Sequence, residues 1–133
     1  MRSFACRWGL AIAFMAAIFA ASSIPGSNVP SFGLWDTLAP KGMHLCGYAL
    51  LAASVLHAFS HRSAISRTHF IAAVCFAILY SVSEELHQSY TPGRSASLID
   101  VGIDTAGIVI GATALYRAQM RLTRQQEPGR SVS

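Results

Sequence analysis

The side chains with chemistry to offer are Lys41 and His44, then Glu84, Glu85, His87 and Gln88, then Arg94, Asp100 and Asp104. Adjacent carboxylates, a second carboxylate pair four residues apart and histidines that titrate near neutral pH are the components of general acid–base work. Lys41 and Arg94 are cations suited to an anion, and an arginine can grip a carboxylate or phosphate with two hydrogen bonds. Four of the six acidic residues lie between Ser83 and Asp104, in a stretch flanked by long apolar runs. A carboxylate at the edge of a hydrocarbon environment is costly, so it faces a partner, a cavity or a ligand. Function is to be sought there.

The elements that position these residues must be apolar helices. The chain has 133 residues, of which 53% are hydrophobic and only 12% charged. A soluble domain carries about a quarter of its residues as charges. The apolar residues gather into blocks over 4–21, 43–59, 70–82 and 98–116, with no strand alternation. With their polar flanks they extend to helices at about 4–24, 40–60, 68–88 and 97–117, against the ~20 residues that one membrane span needs. A soluble four-helix bundle would show a wide charged face on each helix, and none is present. The fold read is all-α: one membrane domain over 1–117, a four-transmembrane-helix bundle, followed by a polar, disordered cytoplasmic tail over 118–133.

The first block also resembles a signal peptide, with Arg2 and Arg7 before Leu10–Ala21 and small residues at Ala20–Ser23. Its length favours retention as a span. Cys6, Cys46 and Cys75 fall in separate blocks without paired spacing, so neither a disulfide framework nor a zinc motif is indicated. They read as small packing residues, and no cofactor or metal is expected.

Charge sets the orientation. With a cytoplasmic N-terminus, the inner side holds Arg2, Arg7, Arg62, Arg67, Arg117, Arg121, Arg124 and Arg130, eight of the ten basic residues, against Glu127. The outer side holds Lys41 and Arg94 with Asp36, Glu84, Glu85, Asp100 and Asp104. The positive-inside rule therefore selects both termini in the cytoplasm of a multi-pass protein of the cytoplasmic membrane. The basic C-terminus belongs to that membrane edge, so nucleic acid is not an expected partner.

This orientation brings the chemistry-bearing residues to one face. Lys41 and His44 open the second helix, Glu84 to Gln88 close the third, and Asp100 and Asp104 open the fourth. Asp100, Asp104, Gly107 and Gly111 share a helix face, and Gly107-Ile108-Val109-Ile110-Gly111 is a small-xxx-small pattern that admits a neighbouring helix. The two aspartates then point into the bundle. Lys41, His44 and Tyr48 share a second face, and Tyr80, Glu84 and either His87 or Gln88 a third. Four ridges from these helix ends would enclose a polar pocket just below the outer surface.

Each residue has a plainer reading. Ser97-Leu98-Ile99-Asp100 fits a capping box, and a carboxylate in a first turn suits the helix dipole. Asp104 lies one turn deeper, beyond capping, and Lys41 or Arg94 is its expected partner. Glu84 either faces the headgroups or stays on the inward ridge, and of the two glutamates Glu85 is the one favoured as functional. His57, His61 and His69 border the inner loop, and His87 reads as interfacial. Thr91-Pro92-Gly93-Arg94 reads as a tight turn.

With these residues in place, the chain resembles the VanZ-like family of small bacterial membrane proteins over about residues 22 to 115. The resemblance is carried by Ser22-Ser23-Ile24-Pro25, by Lys41-Gly42-Met43-His44-Leu45-Cys46-Gly47-Tyr48-Ala49-Leu50-Leu51 and by Glu85-Leu86-His87-Gln88. It continues through Pro92-Gly93-Arg94, Ser97-Leu98-Ile99-Asp100-Val101, Gly107 and Gly111. It singles out Glu85, Gln88, Arg94 and Asp100. Two positions depart from the family pattern: Pro40 stands where an acid is usual, and Asp104 where asparagine is usual. Asp104 is the candidate to replace the missing negative charge beside Lys41. Family members are linked to reduced susceptibility to teicoplanin, a glycopeptide acting at the outer face, and that link reaches this chain by association alone.

The leading expectation is an outer-facing polar pocket of Lys41, His44, Glu85, Gln88, Arg94, Asp100 and Asp104 that binds an anionic cell-envelope component. Arg94, Lys41 and His44 would contact the anion, and the carboxylates would orient them. The expected partners are membrane lipids and a lipid-linked envelope precursor. Two alternatives stand beside it: an intramembrane acid–base enzyme acting on a lipid-linked substrate, and a salt-bridge latch joining the last three helices.

Overall fold

The computed structural model describes residues 4–25, 35–60 and 64–126. Arg2, His61, Arg62, Glu127 and Arg130 lie outside these residues, as do the side chains of Cys6 and Asp36. The described chain is all helix: α1 (Phe4–Ser22), α2 (Trp35–Ser60), α3 (Arg67–Gln88) and α4 (Leu98–Gln126). Two boundaries differ from the sequence reading by more than a residue or two. Helix α2 begins at Trp35 rather than 40 and takes in Pro40; so close to a helix start, the missing N–H of proline deprives only one carbonyl. Helix α4 runs on to Gln126 rather than stopping at 117, because Ala118–Gln126 holds good helix formers and neither glycine nor proline.

Local chemistry fixes the ends of α3. Ser66 caps its start: the Ser66 hydroxyl accepts from the His69 N–H at 3.2 Å, and His69 Nδ1 accepts from the Ser66 N–H at 3.3 Å. This is a capping box with histidine in the position usually taken by glutamate or glutamine. Beyond its end, the Arg94 N–H closes on the Thr91 carbonyl at 3.1 Å across Pro92 and Gly93. Gly93 has φ 74°, which glycine adopts without a Cβ clash. The tight turn expected from Thr91-Pro92-Gly93-Arg94 is formed.

Helix α2 sits at the centre and packs on the other three, most extensively on α4. The glycines explain that pairing. A Cβ on Gly107 would fall on the Leu45 carbonyl, and one on Gly111 would fall on the Ala49 carbonyl. Helices α2 and α4 therefore run in the same direction with backbones touching, as the small-xxx-small pattern predicts. Helix α1 docks on α2, where Arg7 Nη2 donates to the Ala58 carbonyl at 3.1 Å, and on α3, where the Tyr80 hydroxyl donates to the Met15 carbonyl at 2.7 Å.

The molecule is apolar outside and partly polar inside. Leu10, Phe19, Met43, Leu50, Leu79, Leu86 and Ile110 are exposed, while Ser81, Glu84, Glu85, Gln88 and Asp104 are buried. That inversion suits a hydrocarbon solvent, where burying leucine gains little and exposing a carboxylate costs much. Leu38–Ser60, Arg67–Gln88 and Leu98–Gln125 are each long and apolar enough to cross a membrane, and the described apolar part of α1, Arg7–Ser22, is shorter. Cys46 and Cys75 are exposed on this outer surface rather than packed in the core. Each follows an inward-facing position by a fraction of a turn, which turns its thiol outward.

Candidate functional site

Asp104 is the centre of the polar cluster. It is 1% exposed; its Oδ1 lies 3.0 Å from His44 Nδ1, and its Oδ2 accepts the Ser81 hydroxyl at 2.7 Å. One carboxylate thus ties α2, α3 and α4 together. The expected partners Lys41 and Arg94 are not the ones used. Helical side chains lean toward the N-terminus, so the His44 imidazole reaches back to the level of Asp104, while Lys41 leans on toward the helix mouth. Lys41 is partly buried, and among the described residues no carboxylate lies within ion-pair distance of it.

Glu85, on the last turns of α3, is 4% exposed, and its Oε2 accepts the Ser97 N–H at 2.7 Å. Ser97 in turn caps α4, its hydroxyl accepting from the Asp100 N–H at 3.3 Å. The capping box read in Ser97–Asp100 is therefore half right. The serine performs its part, but the reciprocal bond to the Ser97 N–H comes from Glu85 of another helix. Ligand-type atoms of His44, Glu85 and Asp104 all lie within 4.8 Å of one another.

Gln88 links the turn to α1: its Nε2 donates to Ser22 Oγ at 3.3 Å, and its Oε1 accepts from Arg94 Nη1 at 3.4 Å. His87 lies outside the cluster, its ring stacked on Phe19 at 4.7 Å with Nε2 3.2 Å from the Ser23 hydroxyl. Glu84 does not face the headgroups. It is 4% exposed, sits beside Tyr80, and its Oε2 is buried without a hydrogen-bond partner. Its place on the inward Ser81–Glu84–Gln88 ridge brings it inside, a spacing of three and four legible in the sequence.

The open space lies elsewhere than expected. The cavity, of about 350 Å³, opens instead between α1 and α2. Phe14, Ala17, Ile18, Ala21, Met43 and Gly47 give it apolar walls, and Ser22, His44, Tyr48 and Arg94 supply its polar groups. Of the seven pocket residues expected from sequence, His44 and Arg94 line it, while Glu85, Gln88 and Asp104 stand behind them. Asp100 and Lys41 are partly buried nearby in sequence but do not line it. The sequence reading passed over Ser22 and Ser81, and placed Tyr48 on the His44 face without a role. Tyr48 is fully buried, with its ring 6.2 Å from that of His44.

Chemically, the cavity offers two cationic or cationisable groups among mostly apolar walls. Asp104 orients one of them and Gln88 holds the other. No curated protein and no solved structure matches the chain significantly. The model of the VanZ/LLP1 family matches residues 8–119, covering every residue of the polar cluster and the cavity, and the chain is a membrane protein of the VanZ/LLP1 family.

Proposed function

We propose that this protein binds the anionic head and the adjoining hydrocarbon of a cell-envelope amphiphile at the extracytoplasmic side of the cytoplasmic membrane. The observation that carries this reading is the lining of the cavity: its walls are mostly apolar, and Arg94 and His44 are among its few polar groups. A free anion would need no hydrocarbon wall, and a neutral lipid would need no arginine. Arg94 and His44 contact the anion, and Lys41 adds positive potential beside them. Gln88 and Asp104 hold the two contact residues, and Glu85 fixes the start of α4.

The orientation follows from charge. Arg7, Arg67, Arg117, Arg121 and Arg124 lie toward the end of the bundle opposite the cluster, and the positive-inside rule makes that end cytoplasmic, with both termini. Four crossings then require α1 to span. Its 19 residues rise about 28 Å, close to the ~30 Å hydrocarbon core. Any relation to teicoplanin susceptibility would run through a lipid-linked envelope precursor held in this cavity.

The test is mass spectrometry of the protein purified in mild detergent. Acidic lipids or lipid-linked phosphates retained by the native chain and absent from Arg94→Ala support the reading. An equal lipid profile for both, at equal protein recovery, contradicts it. One observation favours a second reading: a carboxylate holds the ring of a histidine that lines the cavity, the arrangement of an oriented general base. Turnover of a lipid-linked phosphate or ester by the purified chain, lost in His44→Ala, would establish that reading instead.

A further inference from the structure

The geometry points to a divalent transition-metal site, of the kind that takes zinc, formed by His44, Glu85 and Asp104 where α2, α3 and α4 meet. The sequence holds no metal spacing because each ligand comes from a different helix. In space, one nitrogen and two carboxylate oxygens lie within 4.8 Å of one another, and the His44 Nδ1–Asp104 Oδ1 separation is 3.0 Å. Ligand atoms about 2.1 Å from a tetrahedral ion stand roughly 3.4 Å apart. His44 and Asp104 are near that spacing already, and the Glu85 oxygen, within 4.8 Å of both, needs to move by up to about 1.4 Å.

Two further observations call for a cation here. Glu85 is 4% exposed, and its Oε1 is buried with no hydrogen-bond partner, although its other oxygen is held by Ser97. Electrostatics agree. Glu84, Glu85 and Asp104 are all buried, yet the one ion pair among the described residues is that of Asp104 with His44, whose charge requires a proton. Buried carboxylates without counter-charge are strongly disfavoured, and a doubly charged ion answers that need.

The ligand set also selects the ion. An imidazole with two carboxylates suits zinc or a similar transition ion, whereas magnesium and calcium prefer oxygen alone. Ser81 donates to the other oxygen of Asp104 and so fixes the ligand's orientation, the supporting bond such sites commonly have. Metallation at Nδ1 leaves the neutral imidazole's proton on Nε2, where it remains a donor. The site shares His44 and Asp104 with the proposed anion contact, and a test with Zn²⁺ alone keeps its failure separate from the failure of that reading.

The test uses the full chain purified with a tag free of histidine, stripped with a chelator and titrated with Zn²⁺ alone against a competing fluorescent chelator. Saturable uptake of about one ion per chain, weakened about tenfold or more in His44→Ala and Glu85→Gln and unchanged in His87→Ala, supports the site. X-ray absorption of the cobalt-loaded native chain needs no variant to fold, and is expected to show nitrogen and oxygen neighbours without sulfur. No saturable uptake, uptake indifferent to both ligand substitutions, or sulfur ligation would overturn it.

Discussion

Glu85 on α3 accepts the backbone N–H of Ser97 at 2.7 Å, closing the capping position of α4 from a different helix. The bond replaces the reciprocal half of a capping box and ties the end of one span to the start of the next. It makes Glu85 a structural residue as well as a member of the polar cluster. Glu85→Ala should destabilise the protein by about 1–2 kcal/mol, since it strands the partly buried Ser97 N–H. Glu85→Gln keeps an acceptor in place and should cost less than half of that. Thermal unfolding in detergent separates the two; equal losses would mean that the charge, not the hydrogen bond, carries the effect.

Gly107 and Gly111 let α4 lie against the α2 backbone at Leu45 and Ala49. Gly111→Ala should cost about 1–3 kcal/mol, the usual penalty for forcing a group into filled space. Gly102, on the same helix with nothing within 4 Å of a Cβ, supplies the control. Gly102→Ala should be neutral or stabilise by up to about 1 kcal/mol in the same unfolding assay, since alanine favours a helix where space allows. Equal effects at both positions would contradict the register described.

His44 and Asp104 form the one ion pair among the described residues. Polar contacts between membrane helices average only about 0.6 kcal/mol and reach about 1.7. A double-mutant cycle of His44→Ala and Asp104→Ala should therefore give a coupling on the order of 1 kcal/mol. A coupling near zero would separate the pair, and the latch reading would lose its main contact.

Both termini in the cytoplasm is the orientation required for a ligand approaching from outside. A fluorescent-protein fusion after the C-terminus should fluoresce, and a periplasm-dependent phosphatase inserted at Gly93 should be active. The reverse pattern would place the cavity on the cytoplasmic side.

Much of this architecture was legible in the sequence because helices in hydrocarbon announce themselves by length and apolarity. Gly107 and Gly111 predicted which face of α4 packs, and Asp104 followed inward by periodicity. What periodicity could not supply was the pairing between helices. It placed Lys41, His44 and Tyr48 on one face but could not show that His44 alone would reach Asp104. Adjacent glutamates point in different directions and left Glu84 open, whereas a ridge wide enough for Ser81, Glu84, Glu85 and Gln88 faces in. The cavity was missed because α1 carries no charged residue beyond Arg7, and its contribution is shape rather than chemistry.

The central claim is that Arg94 and His44 grip the anionic end of an amphiphile. The most direct measurement is titration of the purified protein with a polyprenyl phosphate and with the uncharged polyprenol of the same chain length. Saturable binding of the phosphate is expected, with the alcohol markedly weaker. Arg94→Ala should lose about 10- to 100-fold in affinity for the phosphate, the equivalent of one charge-assisted hydrogen-bonding group, and little for the alcohol. Equal affinity for both lipids, or an Arg94→Ala variant that binds the phosphate as the native chain does, would contradict the account.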